Sequence, residues 1–141
     1  MLKLITLLLL AGFCCFNSAA QAAEWVEIYS DTYMDASSHE YNPETKIARM
    51  WLKMLNGKDY KIKDINGKKV QYQMSYNEFD CARKKYQIIS AVSYGSQSKV
   101  LDSYENPYND YPTLNSWNTV IPDSLAELWY QLACAPHFEE D

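Results

Sequence analysis

Between Val70 and Tyr94 the chain alternates in a way that suits extended backbone. Val70, Tyr72, Met74 and Tyr76 are separated by Gln71, Gln73, Ser75 and Asn77, and Tyr86, Ile88, Ser90, Val92 and Tyr94 repeat the period. A repeat of two puts each set on one face of a strand. The first run follows Asn66-Gly67, a pair suited to the left-handed φ values of a tight turn, and the second ends at Gly95. Lys99 to Tyr104 follow closely enough to return as a third strand, so an antiparallel meander is expected. Apolar residues at 48%, with only 4 Gly and 5 Pro, allow a packed core and exclude disordered or collagen-like chains.

The flanks are less uniform. Trp25 to Tyr29 reads as a short strand, Thr32 to Asp35 as a second strand or corner, and Ser37 to Glu44 as a loop carrying Pro43. Residues 46–55 fit both periods. Ile47, Met50, Trp51, Met54 and Leu55 form a helical stripe, whereas Ala48, Met50, Leu52 and Met54 would share one face of a strand. Periodicity alone favours the helix. Near the C-terminus, Ser124-Leu125-Ala126-Glu127 is a capping box that opens a helix over 123–134. Its stripe of Leu125, Leu128, Trp129 and Leu132 must pack on the sheet, Pro136 stops it, and the acidic residues Glu139, Glu140 and Asp141 form a solvated tail.

Lys3, the apolar run from Ile5 to Phe13, and Ser18-Ala19-Ala20-Gln21-Ala22 together read as a signal peptide over residues 1–22, leaving a single domain over 23–141. The apolar run is shorter than the ~20 residues of a membrane-spanning helix. Cys14 follows Phe13 and Cys15 follows Cys14, so the small residue that precedes a lipidated cysteine is missing and lipid attachment is disfavoured. The mature protein is expected to be exported, to the periplasm or the cell surface. There Cys81 and Cys134 are its two cysteines, and neither belongs to a C-x-x-C motif. In an oxidising compartment one pair has one connectivity, and a Cys81–Cys134 bridge would contribute roughly 4 kcal/mol by the loop-entropy model.

Lys and Arg number 13 against 18 Asp and Glu, which argues against a nucleic-acid binder. The 2 histidines, His39 and His137, lack partners at metal-ligand spacing, and no phosphate-binding, dinucleotide-binding or calcium loop is present, so no metal or cofactor is assigned. Glu78 and Asp80 could share a strand face, as acid/base pairs do, but a solvated strand end is the simpler reading, and no catalytic residues are assigned. Positive charge is clustered at Arg83, Lys84 and Lys85 and again at Lys58, Lys61, Lys63, Lys68 and Lys69. Such patches suit either an acidic partner or a solvated, aggregation-resistant edge. Tyr104, Tyr108 and Tyr111, stiffened by Pro107 and Pro112, suit either recognition or a loop folded over the core.

Several segments together resemble the surface-adhesin protein E family of small exported bacterial proteins. They are Trp25, Arg49-Met50-Trp51-Leu52-Lys53, and Glu78-Phe79-Asp80-Cys81 followed by Tyr86. The most specific is Ser116-Trp117-Asn118-Thr119-Val120-Ile121-Pro122-Asp123-Ser124-Leu125-Ala126-Glu127, leading to Cys134. The resemblance implies an α+β fold: a six-stranded antiparallel sheet, a C-terminal helix packed on it, and a disulfide corresponding to Cys81–Cys134. It turns residues 46–55 into a strand. It also implies dimerisation and, as in the founding adhesin, binding of host matrix and plasma glycoproteins such as vitronectin, laminin and plasminogen. The family's binding region lies around and after its first mature cysteine, which marks Arg83, Lys84 and Lys85. The founding adhesin is a lipoprotein, and the leader here departs from that pattern. A soluble periplasmic accessory protein is the rival expectation.

Overall fold

A computed structural model describes residues 22–107 and 116–138. Its centre is the alternating region. Strands β4 (Ile47–Leu55), β5 (Tyr72–Asp80) and β6 (Lys85–Tyr94) pair antiparallel along nearly their whole lengths, with Trp51 opposite Tyr76 and Phe79 opposite Tyr86. On the β4 side follow β2 (Thr32–Asp35) and then β1 (Trp25–Tyr29); on the β6 side lies β7 (Val100–Glu105). Two short strands complete these columns: β3 (Glu40–Asn42) continues the position of β2 on β4, and β8 (Asn118–Thr119) pairs with the start of β6. The sheet is thus six columns wide, although eight strands build it among the described residues.

Residues 46–55 are extended, so the helical reading of their periodicity is corrected. Ala48, Met50 and Leu52 are fully buried and Met54 nearly so, while the residues between them are half-buried or exposed. An apolar residue at nearly every position satisfies both templates, and pairing on both edges of β4 decides for the strand. The loop expected over 37–44 likewise contains β3. The strand expected from Val70 begins at Tyr72 and continues to Asp80. Asn66 and Gly67 have φ of 50° and 72°, as a type I′ turn requires, and Ile65 and Lys68 exchange backbone hydrogen bonds of 3.0 and 2.9 Å across it.

Where one short strand hands over to the next, a side chain takes the orphaned backbone group. Between β2 and β3, the Trp51 N–H of β4 donates to Ser38 Oγ at 2.9 Å, and that hydroxyl donates to the Asp35 carbonyl at 2.8 Å. On the other side, where β6 bulges against β5, the Ile88 and Ile89 carbonyls turn toward Asn106. Buried Asn106 covers both, with its Nδ2 3.0 Å from one and its backbone N–H 2.8 Å from the other. These bonds let a column change strands without stranding a buried polar group.

Helix α1 (Leu125–Cys134) starts as expected. Ser124 Oγ accepts from the Glu127 N–H at 3.2 Å, while the Glu127 carboxylate reaches back to the Asp123 N–H at 2.8 Å. Its roll differs from the expected stripe. Trp129, Tyr130, Ala133 and Cys134 are buried, whereas Leu125, Leu128 and Leu132 are only half-buried. The turn is set at the helix's far end: Cys134 is disulfide-bonded to Cys81, and the Tyr130 hydroxyl donates to the Cys81 carbonyl at 2.8 Å. Both anchors lie on one side, four residues apart, and draw that side onto the Ala48–Met54 face of β4 and Phe79 of β5. No helix among the described residues is long and apolar enough to cross a membrane.

Candidate functional site

The β5–β6 turn carries the basic tract read from the sequence. It is tied into the fold more closely than a free patch would be. Asp80, buried at the end of β5, accepts from the Arg83 N–H at 2.8 Å through one oxygen and from Arg83 Nε at 2.6 Å through the other. Lys84, at a φ of 54°, sets its ammonium 3.2 Å from Glu127 on α1, and its carbonyl accepts from Val120. Asp123's amide and then Lys84 hold the Glu127 carboxyl below its usual range. Lys85 opens β6 between Asp80 and Thr119. The side chains of Arg83 and Lys84 stay 63% and 49% exposed, so an acidic partner could reach them only in competition with Asp80 and Glu127.

The paired carboxylates of β5 are also engaged. Glu78 is 8% exposed; its Oε1 accepts from Arg49 at 2.8 and 2.7 Å, and its Oε2 from Gln87 Nε2 at 2.7 Å. Asp80 is likewise held by Arg83, so both carboxylates accept hydrogen bonds from side chains within the fold. His39 sits at the end of α1, its Nε2 2.9 Å from the Ala133 carbonyl, to which it donates as the Nε2–H tautomer. Its ring lies parallel to that of His137 at 5.4 Å, and His137 stacks on Tyr41 at 3.8 Å. These rings close the underside of the helix terminus. Among the described residues no group of three His, Cys, Asp or Glu side chains could hold a metal ion.

Tyr104 is 47% exposed on β7 opposite Ala91, whereas Tyr108 and Tyr111 lie outside the described residues. The structure therefore brings Arg83, Lys84 and Lys85 together at one end of β5 and β6, and puts Tyr104 two columns from β5 on the outermost strand.

Sequence reasoning missed a second surface, on the face of the sheet opposite the helix. There Trp51 stacks on Tyr76 at 5.1 Å and Tyr72 on Tyr94 at 4.7 Å, all half-buried. The Lys53 ammonium lies 5.4 Å from the Trp25 ring centre and 5.1 Å from that of Tyr72. The signal was present in the second phase of the alternation: once β4 is a strand, Trp51 and Lys53 must face away from Met50 and Leu52.

Comparison with known proteins agrees with this architecture. Crystal form II of Haemophilus influenzae protein E superposes with a TM-score of 0.53 at 12% identity, covering 79% of this chain and 87% of that one. Protein E from non-typeable Haemophilus influenzae gives 0.51 at 11% identity, covering 83% and 79%. At such identity the likeness concerns the fold. Among curated proteins none matches. Residues 25–135, from the first strand through the disulfide-bonded helix, match the family described as surface-adhesin protein E, and the chain belongs to that family.

Proposed function

We propose that this protein is an exported, non-enzymatic, adhesin-like binding protein. Residues 1–22 serve as its signal peptide and 23–141 as one domain that holds a protein partner outside the cytoplasm. The observation that supports it is the family match across residues 25–135. Within that frame the partner is a host matrix or plasma glycoprotein. The contact surface is the β5–β6 turn with Arg83, Lys84 and Lys85, extended by Tyr104 and the segment with Tyr108 and Tyr111. The physical support is partial: Arg83 and Lys84 are exposed cations on a backbone fixed by Asp80 and Val120, so little ordering is needed on binding.

Protease treatment of intact producing cells, with a periplasmic marker as control, tests the location. Loss of the full-length protein with the marker spared supports display. Protection of both supports the rival, a periplasmic accessory protein. Binding to immobilised vitronectin, laminin and plasminogen then tests the partner class. Changing Arg83, Lys84 and Lys85 together to Gln should weaken salt-sensitive binding about tenfold. Affinity that ignores both salt and the triple change would remove the charged turn from the mechanism.

A further inference from the structure

Four cations on the sheet and its turns have a partner in the fold: Arg49 has Glu78, Arg83 has Asp80, Lys84 has Glu127, and Lys53 has two rings. Lys68, Lys69 and Lys99 share the lack of such a partner among the described residues with Lys58, Lys61, Lys63 and Lys85, but these three converge on one recess. None of the three makes an ion pair with another described residue, and together with Gln71, Ser96 and Leu101 they surround one recess of about 350 Å³. It lies at the opposite end of β5 and β6 from the Arg83 turn.

The backbone fixes this convergence. Lys68 closes the Asn66-Gly67 turn with both hydrogen bonds to Ile65. Lys99 closes the β6–β7 turn: its carbonyl accepts from the Gly95 N–H at 2.8 Å and its own N–H donates to the Ser96 carbonyl at 3.2 Å. The Gln71 N–H donates to the Tyr94 carbonyl at 2.7 Å, binding the two turns into one rim. A chain of net charge −5 has carboxylates to spare, yet none lines the recess. Asp102, next to Leu101, has its Oδ1 on the Ser103 N–H at 2.9 Å. Three like charges gathered on a fixed rim create a local positive potential within an acidic protein.

We infer that the recess bounded by Lys68, Lys69 and Lys99 is a binding site for an oligosaccharide carrying sulfate or phosphate groups. The ammonium groups serve as point-charge donors to tetrahedral oxyanions. The Ser96 hydroxyl and the Gln71 amide offer the neutral donors and acceptors that sugar hydroxyls need, and Leu101 supplies an apolar wall for a ring's C–H face. Its volume falls at the small end of ligand sites, which run from ~300 to ~1,000 Å³. The site is separate from the Arg83 turn, and the inference does not rest on the adhesin reading.

Calorimetric titration of the exported protein at low salt tests it, with a heparin-derived hexasaccharide as the sulfated probe and inositol hexakisphosphate as the phosphorylated one. Binding should weaken about tenfold or more in the K68Q/K69Q/K99Q variant, and stay within about twofold of wild type in R83Q/K84Q/K85Q. All three lysines of the recess are exposed, so the melting temperature should not move. Binding of both probes supports an oxyanion-sugar site in general. Hexasaccharide alone selects sulfated glycans, and hexakisphosphate alone selects phosphorylated polyol rings of the sugar or inositol type. No binding of either probe to the wild type overturns the inference, as does an equal loss in the two triple variants, which would mean diffuse charge rather than a site.

Discussion

Tyr130 donates its hydroxyl hydrogen to the carbonyl of Cys81 at 2.8 Å, one helical turn before Cys134 bonds the Cys81 sulfur. One residue at the end of β5 thus holds the helix twice. The disulfide closes 53 residues of chain, so replacing both cysteines by Ser should cost about 4 kcal/mol by the loop-entropy model. Tyr130→Phe should cost about 1 kcal/mol, the net value of an ordinary hydrogen bond. Urea melts of the two variants check this, and a native protein with two titratable thiols would overturn the first part.

Truncations along β4 should read out its two faces. Met50 and Leu52 are fully buried, so either change to Ala should cost about 2–5 kcal/mol. Leu55, half-buried, should cost less. A helix would instead group Met50, Trp51, Met54 and Leu55, and equal losses at Met50 and Leu55 would contradict the strand.

Ser38→Ala removes the acceptor of the Trp51 N–H at the junction of β2 and β3. A buried donor without a partner costs about 1–3 kcal/mol. Faster hydrogen exchange at the Trp51 amide, with the amides elsewhere in β4 less affected, is the expected signature. Unchanged exchange there would mean that another group satisfies the donor.

Asp35 sets a limit on acid stability. Burial pushes its carboxyl up, but hydrogen bonds from the Ser37 hydroxyl and from the Glu24 and Ser37 amides outweigh it and hold the carboxyl below its ordinary range. A carboxyl depressed in the folded state contributes stability above its unfolded value of about 3.9, and that contribution fades as pH falls through the folded value. Wild type should therefore exceed Asp35→Asn in stability near neutrality, and the gap should shrink below about pH 4. Parallel pH curves for the two proteins would count against this role.

The central meander was legible because its side chains alternate between Val70 and Tyr94 and its turns carry Asn66-Gly67 and Gly95. The single face expected for Tyr86, Ile88, Ser90, Val92 and Tyr94 is broken by the bulge in β6, which puts Tyr86 and Ile88 on the other face of the sheet from Ser90, Val92 and Tyr94. The disulfide followed from reading residues 1–22 as a signal peptide, which leaves Cys81 and Cys134 as a pair, and the helix start from Ser124 and Glu127. Residues 46–55 were not decidable from their own pattern: apolar residues at Ile47, Ala48, Met50, Trp51, Leu52, Met54 and Leu55 fill both a strand face and a helical stripe. The basic tract at Arg83 was visible as charge, and Asp80 lies only three residues before Arg83, but the pairing of Lys84 with Glu127 was not visible, since Glu127 is over forty residues away in sequence.

By itself the sequence determined what depends on near neighbours: strand period, the tight turn and the helix cap. Tertiary structure decided what depends on residues far apart in the chain. Pairing with β2 and β5 made a strand of 47–55, and two bonds to Cys81 set the helix's roll. Packing of the helix on the sheet gave Lys84 its partner Glu127, while the pairing of β5 with β6 brought Lys99 to Lys68 and Lys69. The division is physical: backbone propensities act over a few residues, whereas burial and charge pairing respond to whichever groups the sheet brings together.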